Sequence, residues 1–416
     1  MAVFRDHAVE DNAMNTDANV APPREAHTNI DQLFEQSSDE AARAQFISVL
    51  RNHAKTTMRD MLQAHYEQVV RPAYESANGR PPASGEELDA LFADNLYYRV
   101  YSSVRYNAQR MMFLSAVDPV ERRIRDFARF AQDVAARRPA GGSLELDPSL
   151  EVPRYVTALD VHLVPGGFHT EYIENDVAQG VIVSFGGRVS TGANEHRKDD
   201  LGGVGRSIGY WIARKWPDFR PRRMLDLGTQ SGKNLRPYLE IFPEVEAHGV
   251  DVSAPMLRYG HIKAECAAQR VHFSQQNAES MKYADQSFDL IVSSFFFHEI
   301  PVATTRRVLE ECQRLLAPGG LMVHMELPPR SACDPFQNFY WDWDARHNNE
   351  PFYVAFRSQD LSKLMTGAGF SAARSFATTI PNVSTFDSSQ YPRFLSGEME
   401  APPHGRGGWF VFGAWK

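Results

Sequence analysis

The sequence predicts an α/β chain built on a parallel, doubly wound sheet. Helical and strand patterns alternate from Val204 onward. The run Met224-Leu225-Asp226-Leu227 reads as a buried strand that enters a glycine turn, Gly228-Thr229-Gln230-Ser231-Gly232. A second strand ends at Gly249-Val250-Asp251, its acid 25 positions after Asp226. Parallel strands joined by helices place ligands beyond the carboxyl ends of the strands.

The elements follow in order. Gly205 to Trp216 predicts a helix, then strand Arg223–Leu227, helix Lys233–Phe242 and strand Ala247–Val252. Ala254 to Gln269 is helical, Val271–Phe273 and Leu290–Ser294 are strands, and Thr304 to Leu316 is a helix before strand Leu321–Leu327. Ser358 to Gly369 is helical, and strands Ala373–Ala377 and Trp409–Trp415 close the pattern.

Before this region the chain is different. Residues 1–27 are polar and predict a disordered tail. Residues 28–140 are helical in pattern. Phe46, Leu50, Met58, Met61, Leu62, His65 and Val69 recur at roughly helical spacing before Pro72. Ser84-Gly85-Glu86-Glu87 resembles a capping box. Asp118-Pro119 reads as the start of another helix, with Asp as N-cap. The aromatic stretch Asn95 to Tyr101 and Met111-Met112-Phe113 suits a helix core, a dimer seam or a lid over an apolar substrate. Residues 141–200 read as an irregular connection with short β-like runs such as Val181-Ile182-Val183. Within it, Val161 to Tyr172 is dense in polar and aromatic groups. That mixture suits a wall facing a ligand, and His162, Phe168, His169 and Tyr172 are its substrate-binding candidates.

Composition sets bounds. The chain has 416 residues, an apolar share of 43% and a net charge of −8. That charge disfavours nucleic acid or an anionic membrane as a general partner. No run approaches the roughly 20 apolar residues of a membrane helix, and the N-terminus does not read as a signal peptide. Cys266, Cys312 and Cys333 show neither metal nor disulfide spacing, which suits a reducing cytoplasm. No metal site is expected.

The glycine turn and the acid after it fit a nucleoside-containing cofactor. A dinucleotide is disfavoured because Gln230 stands where G-x-G-x-x-G needs its second glycine. The phosphate-cradling G-x-x-x-x-G-K-[ST] also fails: Gly228 to Gly232 is one residue short, and Asn234 follows Lys233.

Five segments in order resemble the class I S-adenosylmethionine-dependent methyltransferases. They are Leu225-Asp226-Leu227-Gly228 with Gly232, then Asp251, Asn277-Ala278-Glu279, Ser287 to Ser294, and Leu316-Ala317-Pro318-Gly319-Gly320. The resemblance covers roughly residues 203–416, and the corresponding domain is 201–416. It implies a Rossmann-like sheet with an antiparallel last strand and S-adenosyl-L-methionine as cofactor. Asp226, Gly228, Thr229, Gln230 and Gly232 would lie under its methionine part. Asp251 would serve the ribose and Asn277, Ala278 and Glu279 the adenine, with Val252, Met256 and Ser293, in the fourth family strand, as further cofactor contacts. Two departures stand out. The family has Gly at position 230 and Asp at position 277, so the loop at Gln230 is expected to differ locally.

The resemblance implies methyl transfer to a small-molecule acceptor, as in biosynthesis, with oxygen slightly favoured over nitrogen or carbon. A hydroxyl acceptor needs a base. His298 and Glu299, just after a strand, are the catalytic candidates. Neutral His298 would titrate near 6.5. Glu326, Tyr340 and Trp341 are further substrate candidates, and the acids around them would suit a cationic acceptor. A helical spacing puts Tyr340, Asp344 and His347 on one face. A homodimer through the helical domain is a further expectation. The alternatives are a non-methylating reaction on the same fold, such as cyclisation, and a silent binding or assembly protein.

Overall fold

The computed structural model describes residues 29–137, 139–191 and 203–416. The tail expected over residues 1–27 lies outside the described residues, as does the boundary drawn at 200. Eight strands form one sheet: β1 (Ser143–Glu145), β2 (Arg223–Leu227), β3 (Glu246–Asp251), β4 (Val271–Gln275), β5 (Phe288–Ser294), β6 (Leu316–Glu326), β7 (Ser375–Pro381) and β8 (Gly408–Trp415). Their spatial order is β1-β4-β3-β2-β5-β6-β8-β7. The pairs from β1 through β6 are parallel, and β8 runs antiparallel to both β6 and β7.

The central strands are apolar on both faces because helices cover both. Leu225, Leu227 and Ile291 enter one core; Met224, Leu290 and Val292 enter the other. β2 lies between β3 and β5, so successive connections leave it in opposite directions. A crevice therefore opens above β2, where Gly228, Asp251 and Ser294 end their strands.

The helical module begins with a continuous run from Ser38 to Asn78, containing π-turns at Ala54–Met58 and Tyr66–Val70. Ser37 and Glu40 cap its start reciprocally, and Gly79, at φ 69°, ends it. Pro72 falls in the first turn of the last segment, Arg71–Asn78. Ser84 caps helix Gly85–Phe92 by accepting the Glu87 N–H at 3.3 Å, while the Glu87 carboxylate takes the Ala83 N–H at 3.0 Å. The expected helix start at Asp118-Pro119 is corrected. Helix Leu96–Glu121 continues through Pro119, and the next helix begins at Ile124. Pro this close to a helix end interrupts little of the backbone ladder.

The stretch expected to be irregular is also corrected in part. Val181-Ile182-Val183 lies in helix Ala178–Thr191, and Ser143–Glu145 joins the sheet edge. The β-branched residues mislead locally. Val181, Ile182, Phe185 and Val189 are buried at helical spacing, and packing outweighs propensity. Gly180 permits the close approach: a Cβ there would lie 2.3 Å from Tyr259.

The module attaches at two places. Ile47, Met112, Phe127 and Val181 pack with Tyr259 and Ile262 of helix Ala254–Cys266. Leu62, Phe92 and Tyr101 pack with Phe339 and Trp343 of helix Pro335–His347. The aromatic stretch is thus largely core, although Leu96 is 76% exposed. None of the described helices is long and apolar enough to cross a membrane.

Candidate active site

The glycine turn holds three left-handed residues: Gly228 (φ 60°), Gln230 (φ 48°) and Gly232 (φ 67°). A Cβ on Gly228 would lie 2.4 Å from the Phe296 ring, so glycine is required by space as well as by φ. Gln230 keeps the backbone conformation of a glycine and turns its side chain to solvent. The departure is absorbed as backbone strain, on the order of 1–2 kcal/mol.

Asp251 ties this turn to the tip of β3. Its carboxylate accepts the N–H of Gln230 at 2.9 Å and of Ser253 at 2.9 Å. Burial raises its pKa above the ordinary value, against the pull of those amides. Asp226 lies deeper and accepts the Thr229 hydroxyl at 2.7 Å. Burial, with the charge of Asp251 nearby, pushes it up to about 7. It braces the turn from within.

Other cofactor candidates divide by exposure. The Asn277 Oδ1 accepts the Glu279 N–H at 3.0 Å, and Glu279 accepts the Tyr155 hydroxyl at 3.1 Å and Arg307 Nε at 2.5 Å. The Val252 carbonyl accepts from Gln275 at 3.0 Å, and Ala278 is buried beside these groups' strand ends. Met256 and Ser293 are completely buried. Met256 N–H bonds Ser253 Oγ, and the Ser293 hydroxyl pairs with His324 Nδ1 at 2.9 Å. Their side chains support the turn and the core, a correction to direct cofactor contact.

After β5 the structure assembles a chain of alternating carboxylates and imidazoles. Glu326 Oε2 meets His298 Nδ1 at 2.5 Å, and His298 Nε2 lies 3.5 Å from Glu299 Oε1. The same Glu299 oxygen meets His162 Nε2 at 2.8 Å, and His162 Nδ1 meets Glu350 Oε1 at 2.8 Å. His162 arrives from the connecting segment on a strained backbone, φ 56°, followed by Leu163 at φ 59°. Gln109 of the helical module steadies it by donating to its carbonyl at 2.9 Å. Three separate parts of the chain thus meet at one cluster.

The charges there are mutually held. Burial opposes a charged His162, but Glu299 and Glu350 outweigh it and hold the imidazole up to about 10. Burial likewise opposes charge on His298, and Glu326 and Glu299 outweigh it, so its pKa is raised well above the ordinary value. The expectation of a neutral His298 near 6.5 is corrected, because a protonated imidazole has no lone pair with which to take a proton. Glu299 pays the desolvation cost of burial yet stays well below the carboxylate range, held by His162 and His298. Its Oε2 is buried and, among the described residues, has no hydrogen-bond partner. Glu326 is also reassigned. It is completely buried, with Oε1 on the Phe297 N–H at 2.6 Å and Oε2 on His298, so it positions His298 and does not meet an acceptor. His162, Glu299 and Glu350 offer ligand atoms within 4.8 Å of one another and so could hold a cation, although His162 already pairs both carboxylates.

The wall segment reaches the site at two points. Phe168 carbonyl accepts the Ser253 hydroxyl at 2.7 Å, and its ring stands edge-on to His162 at 6.1 Å. His169 Nδ1 is buried without a partner, and burial lowers its pKa. Tyr172 lies at the edge, 44% exposed. Tyr340 and Trp341 line a separate cavity of about 510 Å³ with Tyr66, Phe336, His404 and Arg406. The expected acidic lid for a cationic acceptor is corrected: Asp342 pairs with Arg357 and Arg330, and Asp344 with Arg105. No motif or period in the sequence marks Glu350, Phe296 or Gln109.

Residues 224–320 match the methyltransferase domain family. The demethylmenaquinone methyltransferase of Thermus thermophilus is 36% identical over 109 residues, which are 26% of this chain and 49% of that protein. The malonyl-[acyl-carrier protein] O-methyltransferase of Halorhodospira halophila is 27% identical over 155 residues, 35% of this chain and 48% of that protein. The chain spans about half the length of the curated relatives it matches. Among solved structures, a phosphoethanolamine N-methyltransferase of Haemonchus contortus in complex with S-adenosyl-L-methionine superimposes with a TM-score of 0.34. It is 17% identical over 54% of this chain and 61% of that one.

Proposed function

We propose that this chain, which carries a class I S-adenosylmethionine-dependent methyltransferase domain over residues 224–320, methylates a hydroxyl of a small-molecule acceptor. The observation that carries the reading is the closure of Asp251 on the glycine turn. It produces a backbone cradle beside an acid at the tip of the second central strand, suited to a nucleoside without phosphate. Gly228, Thr229 and Gln230 would hold the amino-acid end of the cofactor, and Asp251 its ribose. Bound there, the sulfonium supplies an electrophilic methyl group.

What remains for the protein is alignment, exclusion of water and removal of one proton. Glu299 suits the last task. It is ionised, and Oε2 is its oxygen without a hydrogen-bond partner among the described residues. An acceptor hydroxyl hydrogen-bonded to Oε2 would be oriented by it. A weak base is sufficient here, because the hydroxyl proton becomes strongly acidic as its oxygen gains a third bond to the incoming methyl. His298, fixed by Glu326, and His162, fixed by Glu350, hold Glu299 from two sides and favour its ionised form. A nitrogen acceptor would need this base less, which is why Glu299 supports oxygen.

Glu299→Gln keeps size and removes the charge. With the acceptor identified from a panel of hydroxylated small molecules, kcat should fall by about 10²–10⁴, the usual scale for a general base. S-adenosylhomocysteine affinity should change little. Undiminished kcat in the variant would transfer the proton to solvent and leave the oxygen assignment without support.

A further inference from the structure

Beside the imidazole–carboxylate cluster, three cations of the helical module converge around one carboxylate. Arg51 is 5% and Arg105 6% exposed, and Lys55 is exposed at the surface. Both arginines donate to Gln109 Oε1, Arg105 at 3.2 Å. Arg51 Nη2 and Lys55 Nζ each donate to Ser190 Oγ at 3.1 Å. Asp344 is the carboxylate, and Arg105 takes both of its oxygens, at 2.6 and 3.3 Å. Among the described residues, no carboxylate forms an ion pair with Arg51 or Lys55, and Arg51 Nε is buried with no hydrogen-bond partner. An amide oxygen and a hydroxyl are neutral acceptors and do not balance buried charge. Burial and the charge of Arg105 bring Arg51 down to about 10.

We propose that Arg51, Lys55 and Arg105 form a binding site for an anionic group, a carboxylate or phosphate, carried by the methyl acceptor. This rests on the methyltransferase reading above. Guanidinium forks match both groups in geometry. Location links the site to the chemistry. Gln109, which carries both arginines on Oε1, donates Nε2 to the His162 carbonyl at 2.9 Å, and His162 meets Glu299. An acceptor anchored by its anion is therefore one glutamine away from the cluster that holds Glu299. The cofactor cradle lies on the sheet domain, so binding of anion and of cofactor can be separated.

The test uses the full chain, with inorganic phosphate and benzoate titrated at constant ionic strength and unfolding followed thermally. One or both anions should raise Tm in a saturable way, the choice distinguishing phosphate from carboxylate. Apparent affinity should fall roughly tenfold or more in Arg51→Gln and Lys55→Gln, the scale of a lost charged hydrogen bond, with S-adenosylhomocysteine binding retained. Lys55 is exposed, so its variant keeps the test decisive if Arg51→Gln does not fold. The proposal is overturned if neither anion raises Tm, or if both variants respond like wild type. Failure of the wild type to bind S-adenosylhomocysteine would instead sink the methyltransferase reading, and with it the assignment of the anion to a methyl acceptor.

Discussion

Gln230 concentrates the local cost of the glycine turn, because an L-residue with a long side chain holds φ 48°. Gln230→Val should destabilise the fold by about 1–2 kcal/mol, since β-branching makes the left-handed conformation worse. Gln230→Gly should leave stability unchanged or raise it. Chemical denaturation of the three proteins checks this; equal stability of the valine variant would show that the turn relaxes. His162 offers a pH test. Its folded value of about 10 stands above the ordinary 6.5, so its contribution is complete below about pH 6.5 and disappears as pH rises through 10. The stability gap between wild type and His162→Gln should therefore narrow steadily across that window. A gap independent of pH would mean that His162 is neutral when folded. Residues of the cradle were legible in sequence because they are consecutive and constrained by backbone geometry. The Glu326–His298–Glu299–His162–Glu350 cluster was only half legible. His162 and Glu350 are far from His298 in sequence, and their pairing depends on how the wall segment folds onto the sheet.

Among elements, the strands were readable because central parallel strands are buried on both faces and give short unbroken apolar runs, as in β2 and β5. The helix Ala178–Thr191 was not, since Val181-Ile182-Val183 mimics a strand until its burial against Tyr259 is known. Helix Pro335–His347 had a readable period but an unreadable purpose. Its Trp343 is completely buried in the helical module and donates Nε1–H to Ser102 Oγ at 2.7 Å. Trp343→Ala should cost about 3–5 kcal/mol, the scale for emptying a core aromatic site. A calorimetric loss below about 1 kcal/mol would mean that this seam is loosely formed.

At the scale of the molecule, the helical module is joined to the sheet domain and to the imidazole–carboxylate cluster. It shares two cores with the sheet domain, supplies Gln109 to His162 and carries the cation cluster. Removal of residues 1–27 should leave turnover intact, whereas removal of residues 1–140 should abolish it, because both shared cores would be opened. A folded 1–140 deletion that methylates normally would refute the module's role. The central claim, a nucleoside cofactor seated between the glycine turn and Asp251, is reached most directly by calorimetric titration of S-adenosylhomocysteine into wild type and Asp251→Ala. The account predicts one site per chain, weakened in the variant by about 1.5–3 kcal/mol, the scale for hydrogen bonds to a charged group. No binding by the folded wild type, or equal affinity in the two proteins, would contradict it.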